Sequence, residues 1–172
     1  MKFDSVIRLP TAWSSAYGRV GVHLFEGALS LADMSRMEMI GEAWRRRNPG
    51  KTSELSIIYP SEARMTNEER MRLAQVIKRG ESYRNAAATV ILAEGMLGAL
   101  QRSLLTGLIL VAYPQHPAKV FATVHEAVGW LLPHALKLEG PRITSAELLA
   151  AISELCAEFQ ARSESPSLAS PR

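Results

Sequence analysis

A single cysteine, Cys156, stands in the whole chain, so no intrachain disulfide is available and a reducing compartment is the simplest expectation. Long apolar runs are missing too. The greasiest stretch, residues 104–112, is broken by Thr106-Gly107 and is far short of the ~20 residues that span a bilayer. Residues 1–10 carry Lys2 and Asp4 and lack the apolar centre of a secretory signal. Charge of one sign is scarce: the net value of +3 gives no concentrated basic face, which argues against nucleic acid as a partner. The expectation is therefore a cytoplasmic protein with no stable membrane insertion. Chemistry-bearing motifs are absent as well. The chain has no Gly-x-Gly-x-x-Gly, no Walker loop and no Gly-x-Ser-x-Gly elbow. Its four histidines (His23, His116, His125 and His134) and Cys156 do not fall at zinc spacing. No cofactor, no metal and no catalytic residue are expected, and the chain reads as a non-enzyme.

What remains is ordinary globular material, 47% hydrophobic and 22% charged. Residues 3–9 read as an edge strand ended by Pro10, which donates nothing to a ladder. Residues 11–17 are small and polar and read as a loop. From 19 to 25 the chain alternates, with Val20, Val22 and Leu24 on one face and His23 on an exposed polar face. Ser30 can cap a helix over 31–46, with Met34, Met37, Ile40 or Gly41, and Trp44 on one side. The run Arg45-Arg46-Arg47 complements that helix's C-terminal dipole, a simpler reading than a phosphate contact. Asn48-Pro49-Gly50 stops it.

Residues 55–59 predict a central strand and 86–92 a buried parallel one. Between them, Thr66 and Glu69 form a capping box for a helix over 67–79 with Met71, Ala74 and Ile77 inward. Residues 96–111 predict a helix whose apolar surface exceeds one face. Leu97, Leu100, Leu104 and Leu108 share a stripe, Leu105 and Ile109 widen it, and Gln101 stands outside it. Residues 120–122 predict a last strand, followed by Thr123 and Glu126 as a second capping box and a helix over 124–132. Thr144 and Glu147 are a third, opening a helix with Leu148, Ile152, Leu155 and Phe159 on one side. Cys156 lies on that stripe, as a small hydrophobe rather than a nucleophile. From about Arg162 the chain turns to Ser, Pro and Arg, the composition of a disordered tail. The methionines read as flexible core filling. Glu38, Glu42, Glu68 and Glu69 read as helix-surface charges, and Ser14-Ser15 has no paired His and Asp in sight.

Strands alternating with helices imply an α/β domain with one mostly parallel or mixed sheet of about five strands, flanked by helices. The division is an α/β domain over 1–140, a C-terminal helix over 141–161 and a tail over 162–172.

Three segments carry a resemblance: Gly18-Arg19-Val20, Phe25-Glu26-Gly27-Ala28-Leu29, and Lys119-Val120-Phe121-Ala122-Thr123-Val124-His125-Glu126-Ala127-Val128-Gly129-Trp130-Leu131. With the element order, they resemble the STAS-like, anti-sigma-factor-antagonist fold, and more narrowly the small STAS/SEC14-type proteins of deltaproteobacterial genomes. The match covers residues 3–135. The resemblance implies a bacterial regulatory or scaffolding domain that acts through a protein partner or as a homodimer, and the wide apolar surface of the helix over 96–111 offers Leu97, Leu100, Leu104, Leu105, Leu108 and Ile109 as its interface. It also implies one alternative, a small-molecule or lipid-binding module, as in SEC14-type relatives; a toxin-neutralising immunity protein is a third reading, for which no residue argues. Phosphorylatable members carry an Asp-Ser-Gly-like loop after the central strand. Here that place reads Tyr59-Pro60-Ser61-Glu62-Ala63, with Ser61 in register but Asp and Gly missing, so a plain turn serine outweighs a phosphosite.

Overall fold

The computed structural model describes residues 3–62, 65–96, 98–100, 102, 103, 106 and 116–163. Six strands form one sheet in chain order: β1 (Asp4–Arg8), β2 (Ala12–Tyr17), β3 (Val20–Glu26), β4 (Thr52–Tyr59), β5 (Arg84–Ile91) and β6 (Ala118–Phe121). The β1–β2 and β2–β3 pairs are antiparallel, and the pairs from β3 through β6 are parallel. Helix α1 (Leu31–Arg47) joins β3 to β4, and α2 (Asn67–Gly80) joins β4 to β5. The described residues from 95 to 106 are helical. After β6 come α3 (Val124–Ala135) and α4 (Ser145–Ser163).

The sheet has one more strand than the sequence predicts. Residues 12–17, read as a loop, form β2, because two ladders satisfy their backbone whatever their propensity. Trp13 and Tyr17 then point to one side and Ser14 and Ala16 to the other, a period of two hidden by small residues. Gly18, at φ 60, turns β2 into β3.

Parallel register puts Val22, Leu55 and Ala88 side by side, so these three strands share one apolar face. That face is fully buried, along with Val20, Leu24, Ile57 and Val90. α3 and α4 cover it. Ala127, Val128 and Leu131 come from α3, and Leu148, Ile152, Leu155 and Phe159 from α4, at the spacing the sequence predicts. Phe159 packs edge-on to Trp13 at 5.4 Å and lies 5.3 Å from Tyr59, ring centre to ring centre. The apolar stripe of α4 is therefore spent on the sheet, not on the helix near residue 96. Arg162, in the last turn of α4, donates to the Leu9 and Pro10 carbonyls, and Arg8 pairs with Glu158 at 2.9 Å.

The opposite face is built differently. α1 buries only Met34 fully and α2 buries no residue fully. A small second cluster joins Ala12, Leu29 and Met34 to Phe25, Met37, Met65 and Leu73. The expected inward face of α2 holds only in part: Ile77 is half-buried, but Met71 and Ala74 are exposed and Leu73 turns inward. Glu38 of α1 draws α2 in that direction, since Arg72 and Arg79 donate to its two carboxylate oxygens at 2.6 and 2.8 Å. These partners, Arg79 first, hold the Glu38 carboxyl below its ordinary value. Glu38 is thus a cross-helix clamp rather than a surface charge, whereas Glu42 makes the expected i,i+4 pair with Arg46. Half the interior methionines also fail as core, because Met39, Met71 and Met96 are exposed.

Two capping boxes are complete, at Thr66–Glu69 and Thr144–Glu147. At Thr123 only half forms, since the Glu126 carboxylate accepts from the Thr123 hydroxyl rather than from its backbone N–H.

Removing the Phe159 ring leaves a cavity against Trp13 and Tyr59. Phe159→Ala is expected to cost about 3–5 kcal/mol, read as a lower urea midpoint with an unchanged slope.

Candidate functional site

The sheet face beneath α1 is polar where its partner face is apolar. In the register, Ser14 stands opposite His23 and Gly21 opposite Glu54, so these polar side chains share one face, with Glu54 a side-chain step along from the Ser14–His23 pair. Ser14 Oγ lies 2.7 Å from His23 Nδ1. On the other side of the ring, His23 Nε2 is 3.4 Å from Glu54 Oε2. Arg84, at the start of β5, donates to the same oxygen at 3.3 Å, and the Thr52 hydroxyl donates to Oε1 at 3.4 Å. Ser14, His23, Glu54 and Arg84 therefore form one chain of contacts across four strands.

Burial alone would raise the Glu54 carboxyl, but the close imidazole of His23 and the charge of Arg84 outweigh it and hold the group well below the usual carboxylate range. Arg84 is close to fully buried, with 9% of its side chain exposed. His116, just before β6, belongs to the same neighbourhood: burial first, then Arg84, pushes its pKa down against the opposing pull of Glu81 and Glu54. A buried charged pair of this kind contributes little net stability but is costly to break from one side.

The last turns of α1 roof this face. Gly41, Trp44, Arg45 and Arg47 stand over Ser14, His23 and Glu54 around a cleft of about 90 Å³. A neighbouring cleft of about 230 Å³ shares Asp4 and Trp44 as walls and includes Arg19. Arg19 bridges loops there, donating to the Glu139 carbonyl at 2.8 Å and the Pro49 carbonyl at 3.0 Å. Arg45 also stacks its guanidinium over Tyr83 at 5.0 Å. The basic run thus closes α1 as expected and, through Arg45 and Arg47, also lines a cleft.

Two sequence expectations change here. His23 is not a free surface histidine; its side chain is only 20% exposed. Ser14, read as having no paired histidine or acid, contacts a histidine whose far nitrogen approaches a glutamate. The signal available was alternation: Gly21 and His23 in one strand and Glu54 and Ser56 in another sit at the positions facing α1. Glu54 was missed because β4 begins at Thr52, three residues ahead of its apolar run.

The predicted interface is only partly within view. Leu100 is exposed, whereas Leu97, Leu104, Leu105, Leu108 and Ile109 lie outside the described residues. Ser61 is exposed in the segment directly after β4. Cys156 is half-buried with its thiol pushed up by burial, next to Tyr59. Among the described residues, no group of three or more His, Cys, Asp or Glu could hold a metal ion, and no helix is long and apolar enough to cross a membrane.

No family model matches this chain, and no curated protein matches it. A solved structure is similar: the crystal structure of an uncharacterized protein from the DUF3478 family, from Shewanella loihica PV-4, with a SpoIIAA-like fold. It aligns at a TM-score of 0.54 and 13% identity, over 76% of this chain and 94% of that one. The fold is therefore SpoIIAA-like, which is the STAS-like architecture, and at this identity the likeness carries the fold alone.

Glu54 is ionised in the folded protein at pH values where an unfolded Glu takes up a proton. Its contribution is therefore complete above about pH 4.3 and fades as pH falls below it. Glu54→Gln should lower stability at pH 7 and flatten the loss between about pH 5 and pH 2, measured by urea unfolding across pH.

Proposed function

We propose that this chain is a non-enzymatic regulatory or scaffolding protein that works by binding a protein partner through the helix that begins at residue 95. One observation carries the reading. Met96 is 89% exposed and Leu100 56% exposed, and at i,i+4 spacing they stand on one side of that helix. Scattered single apolar residues are ordinary on a surface, but a paired Met and Leu on one helical stripe is the minimal form of a helix-in-groove contact. Met adds adaptability, since its unbranched thioether repacks against differing surfaces.

The polar face supports the non-enzymatic part of the reading. Ser14, His23 and Glu54 have the residue types of a hydrolytic triad. Ser14, however, sits inside a strand paired on both sides, with Ile7 on β1 and His23 on β3. Ladder pairing commits the neighbouring backbone N–H groups, which a nucleophile needs free for an oxyanion. Glu54 is also claimed by Arg84 as well as by His23, so the carboxylate is not dedicated to orienting the imidazole.

The double variant Met96→Glu/Leu100→Glu tests the reading. The wild-type chain used as bait in extract of its own cells should retain a defined partner, or form a dimer by light scattering. The double variant should weaken that association by more than about tenfold at an unchanged melting temperature. Equal retention by both proteins, or no association by the wild type, would overturn it.

A further inference from the structure

Two residues that line the cleft under α1 carry buried ring nitrogens with no hydrogen-bond partner among the described residues. Trp44 and His23 both line it, and their Nε1 and Nε2 atoms are buried. In the tautomer that carries its hydrogen on Nε2, Nδ1 accepts from the Ser14 hydroxyl at 2.7 Å. The 3.4 Å approach of Glu54 to that nitrogen is an ion-pair distance outside hydrogen-bond geometry. A buried donor left without an acceptor is costly, so the site calls for an acceptor that enters it.

The surroundings say what kind. Arg45 and Arg47 line the same cleft, and Arg84 sits behind Glu54 and offsets its charge. Asp4 stands at the wall shared with the neighbouring cleft, which limits how much negative charge the site tolerates. Size is set by glycine. Gly41 faces the cleft from within α1, where Ala would be the better helix former. A Cβ there would meet only the flexible end of Arg45, at 3.4 Å, so a larger side chain could be accepted by the fold and would intrude on the space. At about 90 Å³ the cleft admits one small polar group and is well below the size of a pocket for a drug-sized molecule.

We propose that the cleft between β2–β4 and the last turns of α1 binds a small oxygen-bearing anion, a carboxylate or phosphate group, through the indole N–H of Trp44, the imidazole of His23 and the guanidinium groups of Arg45 and Arg47. Planar guanidinium donors match either group in two-point fashion. The ligand is a free small molecule or the anionic end of a larger one, and no covalent step is involved.

The indole resonances read this directly. The chain has three tryptophans, so an ¹⁵N-labelled sample gives three side-chain indole signals, and the one missing in Trp44→Phe is that of Trp44. Full-length protein is titrated with sodium phosphate and, separately, sodium acetate, against sodium chloride at matched ionic strength. The expected result is a saturable shift of the Trp44 signal in the phosphate arm, the acetate arm or both, the arm naming the anion, with the Trp13 and Trp130 signals still. Gly41→Leu should remove the saturation while keeping the melting temperature equal or higher, and Trp44→Phe should weaken binding, read on the backbone amide of Gly21, by about tenfold. A Trp44 signal that follows chloride in both arms, or saturates unchanged in Gly41→Leu, overturns the proposal.

Discussion

Phe159 against Trp13 joins the end of the described chain to its beginning, and much of the fold depends on what that contact completes. The apolar face of the sheet is too wide for α3 alone. α4 brings Leu148, Ile152, Leu155 and Phe159 to finish the cover, with Ile143 just ahead of it, and every one of these is buried. Burial of this kind is the dominant favourable term in folding, at roughly 25 cal/mol per Å² of apolar surface. Because one face supplies nearly all of the core, the other face is released from that duty. It can carry histidine, glutamate and arginine under helices that bury little themselves.

That division explains what could be read in the sequence. The stripe of α4, the cap residues Ser30, Thr66, Thr123 and Thr144, and the strands around Val22, Leu55 and Ala88 were all legible, because each is a local pattern. β2 was not. Ala-Trp-Ser-Ser-Ala-Tyr has little strand propensity, and pairing on both sides decides its conformation. The inward face of α2 was partly misassigned for a related reason. Its rotation follows the Glu38 clamp to Arg72 and Arg79, a contact made across more than thirty residues of sequence.

The polar cleft shows the same limit. Ser14 and His23 are nine residues apart, and Glu54 is thirty-one beyond His23, so no spacing rule links them. Only the order of the strands does, with antiparallel β2–β3 setting Ser14 opposite His23 and parallel β3–β4 setting Glu54 opposite Gly21, one side-chain step along the same face. The cleft and the exposed Met96–Leu100 stripe fall on different parts of the fold, one roofed by α1 and the other on the helix after β5. A scaffold that needs only one face for its core has room for both.

Arg162 donating to the Leu9 and Pro10 carbonyls carries a consequence for how the protein is made. Synthesis proceeds from the other end, at about 5–20 residues per second. The strands β1 to β6 are complete before α4 exists, and their apolar face is open while the ribosome is still working. Only when residues near 163 emerge from the exit tunnel can the final helix close that face and fasten the first loop. The nascent chain therefore spends several seconds as a half-covered sheet, the state in which a chaperone has the most to hold.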